Sequence, residues 1–312
     1  MSRAWRRDLH RDDGGGGGRC CSLFLALAQH AAMSTPSGQP TRFLLIRHAE
    51  SHWNVWRRGV EDPRAADPSE GLFDAMITER GREQAHQLRA SLHGMLQGVA
   101  PDLILSSPLT RALETALLVF GDHHDAALAW RFRDDDDDDK LPRIELAPEV
   151  RELLEDTCDI GSSAIELKTR FPSISGHQFE QYLQPADRWY LPPRLREHPL
   201  FVDHESSHAE SMPEAAADEH EDSRTAQERR RQRRHWELVR TLGRESDDEV
   251  AQRLAAFRER LRSLEGRYST VVVFGHGTFF WHLTARKVVQ LDGEAESFGT
   301  YLDNCEVLEF SL

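Results

Sequence analysis

Three apolar runs in this chain stop abruptly at residues able to do chemistry, and this pattern constrains the fold most. In FLLIRHAESHWN the run Phe43–Ile46 ends at Arg47-His48. In PDLILSSPLTRALET the run Asp102–Ser106 leads through Ser107 and Pro108 to a segment carrying Arg111. In YSTVVVFGHGTFF a β-branched run ends at Gly275-His276-Gly277. Short runs of this kind read as buried strands meeting loops. Helical spacing fills the sequence between them. Thr78 is a suitable N-cap for a helix whose apolar positions are Ala85, Leu88, Leu92 and Leu96. Pro108 suits the first turn of a second helix, with Leu109, Leu113, Ala116, Leu117 and Phe120 on one face. Val250, Leu254, Phe257, Leu261 and Leu264 mark a third amphipathic helix. Further strands are expected near RIELAPEV and in CEVLEFSL. This order of elements predicts an α/β fold, a three-layer α/β/α sandwich around a mostly parallel sheet.

In open sheets of that class, ligands lie just outside the carboxyl ends of the strands. Parallel neighbouring strands would therefore bring Arg47, His48, Arg111 and His276 to one crevice. Two guanidiniums and two imidazoles describe an anion site. The glycines flanking His276 are expected to let the backbone approach a ligand.

The 312 residues fit one domain with insertions better than one minimal domain. Residues 41–312 are expected to form it, with polar insertions near 121–142 and 194–234. The first contains six consecutive aspartates, which repel one another and suit a solvated loop rather than a metal site. The second ends in RTAQERRRQRRHW, whose basic run reads as the exposed face of a helix. Both insertions are expected to project from the core and to be dispensable for chemistry. Residues 1–40 are expected to be a disordered extension; their arginines and short apolar patch leave organellar or secretory targeting by residues 1–33 open. A net charge of −14 argues against nonspecific binding to nucleic acid or an anionic membrane. Four cysteines with no CxxC argue against a disulfide framework, so a cytoplasmic, reducing compartment is expected.

The segment LLIRHAESHWN resembles the signature of the histidine phosphatase superfamily, the phosphoglycerate mutase-like fold. Ala49 stands where that signature usually has glycine, and Glu50, Ser51 and Asn54 also match. DAMITERGREQA resembles the family's D-x-x-L-T-x-x-G-x-x-Q-A segment, with Ile77 for leucine. ILSSPLTRALET resembles its second-arginine motif and VVVFGHGTFF its second-histidine motif. VRELLEDTCDIGSS is most similar to the acid-bearing segment of the plant and protist phosphoglycerate mutase-like branch. The motifs stand in the family's order and span about residues 42–310, outside the two insertions.

The resemblance implies a metal-independent phosphatase without a cofactor, acting on a phosphorylated small molecule or protein through a phosphohistidine. It implies His48 as nucleophile, Arg47, Arg111 and a protonated His276 as phosphate-binding cations, and Glu152 as proton donor. Asn54, Arg58 and Gly277 are implied substrate contacts, and Glu155 and Asp156 are other candidates for the acid. The nucleophile must be neutral, and the nearby arginines favour that form by repelling its proton. Its second nitrogen is expected to be held by a backbone carbonyl. A phosphoglycerate mutase using the same intermediate, and a binding protein on an inactive fold, remain open. RELLEDTCDIG lacks the E-R-H-Y-G pattern typical of the mutases, and both arginines and both histidines of an active site are present.

Overall fold

The computed structural model describes residues 40–59, 72–121, 130, 144–202, 223–289 and 295–312. Most of 121–142, the aspartate run included, and nearly all of 1–40 lie outside them. The strands are β1 (Arg42–Arg47), β2 (Leu103–Ser106), β3 (Ile144–Leu146), β4 (Thr270–Gly275), β5 (Arg286–Val289), β6 (Ala295–Phe298) and β7 (Val307–Phe310). The first helices are α1 (His52–Gly59), α2 (Glu79–Met95) and α3 (Thr110–Phe120). Four short ones follow: α4 (Ala164–Arg170), α5 (Gly176–Tyr182), α6 (Pro193–Arg196) and α7 (Pro199–Val202). The last are α8 (Ser223–Leu242), α9 (Asp247–Leu264) and α10 (Gly277–Thr284).

The main sheet has the order β3-β2-β4-β1-β7. All its pairings are parallel except that of β1 with β7. β5 and β6 form a separate antiparallel pair. The central strands read as unbroken apolar runs because both faces are covered. Alternate residues serve opposite layers. Phe43, Leu45, Val271 and Val273 meet α9 and α10, and Leu44, Ile46, Val272 and Phe274 meet α2 and α3. The five apolar residues of α9 expected to face inward are all buried. Each contributes about 1.5–3 kcal/mol by leaving water.

Two helix starts show how separated motifs lock together. Thr78 caps α2, accepting from the Gly81 amide. The cap of α3 comes from afar: Asp74 accepts from both the Thr110 amide and hydroxyl, each at 2.8 Å. That carboxylate fixes the first turn at Thr110, so Pro108 stands just before the helix rather than in its first turn.

The polar stretch 194–234 differs from its expected character at both described ends. Leu195 and Phe201 are buried in an apolar cluster with Trp189, Tyr190, Trp236 and Val239. On α8, Gln232 and His235 are also buried. Arg231 turns inward to Glu228, the Tyr190 hydroxyl and the Gly161 carbonyl. One face of the basic helix is therefore core, while Arg229, Arg230 and Arg233 are exposed.

Candidate active site

The register of the sheet assembles the site. Arg47 lies beside Gly275 at the ends of β1 and β4, and Ser106 lies beside Phe274. The residues following each strand, His48, Ser107 and His276, consequently emerge together. The His48 and His276 rings stand 5.1 Å apart between centroids. Arg111 is carried in from the first turn of α3.

His48 is held at three points. Its amide donates to the Gly275 carbonyl at 3.0 Å, and its own carbonyl accepts from Asn304 Nδ2 at 2.8 Å. Its Nδ1 lies 2.7 Å from the Ala49 carbonyl. A carbonyl can only accept, so Nδ1 carries the hydrogen and Nε2 keeps its lone pair. Burial pushes the imidazole pKa well below its usual value, and Arg111 and Arg47 push it further down. A neutral, oriented imidazole follows.

The arginines are fixed differently. Arg111 donates to the Cys158 carbonyl at 2.7 Å and to Asp159 Oδ1 at 3.0 Å. Both partners of that ion pair are buried. Asp159 Oδ2 also accepts from the amides of Glu155 and Asp156. Arg47 donates to the Leu302 carbonyl at 2.8 Å and lies over the Tyr301 ring. Its Nε is buried without a hydrogen-bond partner. So is His276 Nδ1, while His276 Nε2 lies 2.8 Å from Ser107 Oγ. Leaving a buried polar group unsatisfied costs about 1–3 kcal/mol, which a hydrogen-bonding ligand would recover.

The expected protonated His276 is not what the free site favours. Burial pushes its pKa well down, and Arg111, His48 and Arg47 add to the effect. Desolvation and three cationic or basic neighbours favour the neutral ring until an anion arrives. The glycines beside it also serve another purpose. A Cβ on Gly275 would meet Phe280 and Val150, and one on Gly277 would meet the Tyr301 ring. Side chains therefore pack against both glycines and fill the space that a Cβ would need.

Glu152 lies at the start of α10. Its carboxylate accepts from the amides of Leu153, Thr278 and Phe279 at 2.9–3.2 Å. Glu155 and Asp156 lie in the adjoining turn, where Asp156 caps a short 3₁₀ helix with Asp159. Asn54 uses Oδ1 to accept from the Ser51 amide and hydroxyl. Arg58 is exposed and paired with Glu50, whose carboxylate also accepts from Thr78. The structure thus brings Arg47, His48, Arg111 and His276 together and sets Arg58 on the surface. Sequence reading did not single out Asp159, Ser107, Asn304 or Tyr301. Asp159 lay within the quoted acid-bearing segment, but nothing local marks it as the partner of an arginine 48 positions away.

Among the described residues, no group of three or more His, Cys, Asp or Glu side chains is placed to hold a metal. No described helix is long and apolar enough to cross a membrane.

The family model described as histidine phosphatase superfamily (branch 1) matches residues 43–135 and 203–312. Phosphoglycerate mutase-like protein 1 of Arabidopsis thaliana is 39% identical over 77 residues, 25% of this chain and 26% of that protein. Adenosylcobalamin/alpha-ribazole phosphatase of Escherichia coli (strain K12) is 41% identical over 81 residues, 26% of this chain and 33% of that protein. The chain thus spans about a quarter to a third of the length of these curated relatives. The crystal structure of the ecdysone phosphate phosphatase from Bombix mori, solved with tungstate, aligns over 86% of this chain and 87% of that one. Its TM-score is 0.41 at 14% identity.

Proposed function

The chain belongs to the histidine phosphatase superfamily (branch 1), and from that premise we propose that it hydrolyses phosphate monoesters through a phosphohistidine at His48. The observation that carries this reading is the setting of His48: it is buried, its Nδ1 lies 2.7 Å from the Ala49 carbonyl, its ring is 5.1 Å from that of His276, and burial, Arg111 and Arg47 all push its pKa down.

In the first half-reaction the Nε2 lone pair of His48 attacks phosphorus as the bond from phosphorus to the leaving oxygen breaks. Glu152, in its protonated form when substrate binds, gives that oxygen its proton and is left as the carboxylate. Arg47 and Arg111 neutralise charge on the transferring group, and Arg47 Nε gains an acceptor. His276 donates a hydrogen bond, taking up a proton as the phosphate dianion offsets the nearby arginines. In the second half-reaction water attacks phosphorus and the bond to nitrogen breaks. The Glu152 carboxylate removes the water's proton. Asn54 Nδ2 and the Gly277 amide are further donors to phosphate. Arg58, at the surface, reaches the part of the substrate remote from phosphorus. The fixed cations supply the charge stabilisation that a metal gives elsewhere. A cytoplasmic enzyme acting on small phosphorylated metabolites or on a phosphoprotein fits this reading.

Rapid quenching after mixing with labelled substrate should trap an acid-labile, alkali-stable phosphoenzyme. His48→Ala should form none while remaining folded. A phosphoenzyme that survives in that variant refutes the assignment. A phosphate-release screen over sugar phosphates, nucleotides and phosphopeptides, with 3-phosphoglycerate included, separates hydrolysis from isomerisation.

A further inference from the structure

We infer that Glu245 is a positioning residue for Glu152, acting through Arg151 and Arg253; the inference rests on the proposed phosphatase mechanism. Glu245 lies between α8 and α9 and is almost entirely enclosed. Arg151 grips it with two nitrogens at 2.8 and 3.0 Å, and Arg253 does so at 2.7 and 2.9 Å. The same guanidiniums hold the backbone around the acid. Arg253 Nη1 donates to the carbonyls of Glu149 at 2.9 Å and Arg151 at 2.7 Å. Arg151 Nη1 donates to the carbonyl of Glu152 itself at 3.0 Å.

Residues 148–153 need such an anchor. They comprise one 3₁₀ turn and irregular chain, with no strand ladder to satisfy their carbonyls. Arg253 also lies over the ring of Phe279, whose amide donates to Glu152. One carboxylate therefore organises both the backbone carrying the acid and the helix end receiving its side chain. The charge of Glu245 is essential to this arrangement. Without it two guanidiniums would be buried side by side, and a buried charge left unpaired is strongly unfavourable.

Two substrates report positioning separately from general damage. An alkyl phosphate needs a proton on its departing oxygen, whereas an aryl phosphate with an acidic phenol needs little help. Glu245→Gln should lower the single-turnover rate of His48 phosphorylation by the alkyl ester by on the order of tenfold or more, within the range of a general-acid contribution. The loss with the aryl ester should be at least severalfold smaller. In the Glu152→Gln background, adding Glu245→Gln should cost little more, because residues acting as a unit are not additive. Arg253→Lys, which keeps the charge but loses the fork, should show the same dependence on leaving group; it also serves if Glu245→Gln does not fold. Equal losses for the two esters in folded variants, or full additivity with Glu152→Gln, would overturn the inference. A wild-type protein that forms no phosphoenzyme from either ester would instead overturn the proposed function.

Discussion

Mild acidification should destabilise this fold through three buried histidines. Burial is the main cause holding His48, His276 and His235 well below the usual imidazole range. Arg111 and Arg47 contribute at the first two, and Arg231 and Arg188 at the third. In the unfolded chain each regains an ordinary pKa near 6.5. Below that pH the unfolded state binds more protons than the folded one, so stability must rise with pH and fall on acidification. A proton taken up only by the unfolded chain costs about 1 kcal/mol per histidine between pH about 6.5 and about 5.5. Three such groups cost about 3 kcal/mol, a large part of a typical total of about 5–15 kcal/mol. Asp159 and Glu114 run the other way. Burial raises their carboxyl pKa values, so they favour the folded state as acid is added and offset part of the loss. Urea unfolding followed by tryptophan fluorescence at several pH values gives the slope. His48→Asn, His276→Asn and His235→Asn should each remove about a third of the histidine contribution. Saturating inorganic phosphate should flatten the slope contributed by His48 and His276 but not by His235, which lies in a separate cluster with Tyr190 and Arg231. A slope unchanged by all three substitutions would refute the reasoning.

Glu152→Gln should slow phosphorylation of His48 by an alkyl phosphate by about a hundredfold or more, with a clearly smaller loss for an aryl phosphate. Single-turnover rates are required, since a shared dephosphorylation step hides the difference, and equal losses would shift attention to Glu155 and Asp156. Gly275→Ala places a Cβ 2.6 Å from Phe280 Cζ and 2.7 Å from Val150 Cγ1. It should destabilise by about 1–3 kcal/mol, read as a lower urea midpoint. Exhaustive chelation should leave hydrolysis unchanged while vanadate inhibits it; activity restored only by added magnesium or zinc would count against the mechanism.

The central sheet was legible because its strands are covered on both faces, so their apolar runs are uninterrupted. The stripe from Val250 to Leu264 was equally plain because every member faces one layer. Convergence of Arg47, His48 and His276 followed from their positions at, or immediately after, the ends of parallel strands. Other features depend on pairings that no local pattern announces. Asp159 meets Arg111, Ser107 meets His276, and Glu245 meets Arg151 only once the fold has formed. On α8 a signal was present but obscured. Gln232, His235, Trp236 and Val239 have the spacing of a buried face, yet its first two members are polar and are surrounded by arginines. Gly275 and Gly277 were read for what they allow a ligand to do; that Phe280, Val150 and Tyr301 also pack against them depends on pairings distant in sequence.

The strand that leads into His48 has no sheet neighbour close in sequence. In β1, Arg42 pairs with Thr270 on one side and Phe43 with Phe310 on the other. During translation at about 5–20 residues per second, β1 therefore waits roughly 10–45 s for its first partner. The His48 loop must wait too, because its amide is held by Gly275 and its carbonyl by Asn304. A ribosome-bound chain stalled before these residues emerge should be inert. Until then the apolar run Phe43–Ile46 lacks both of its partners in the sheet.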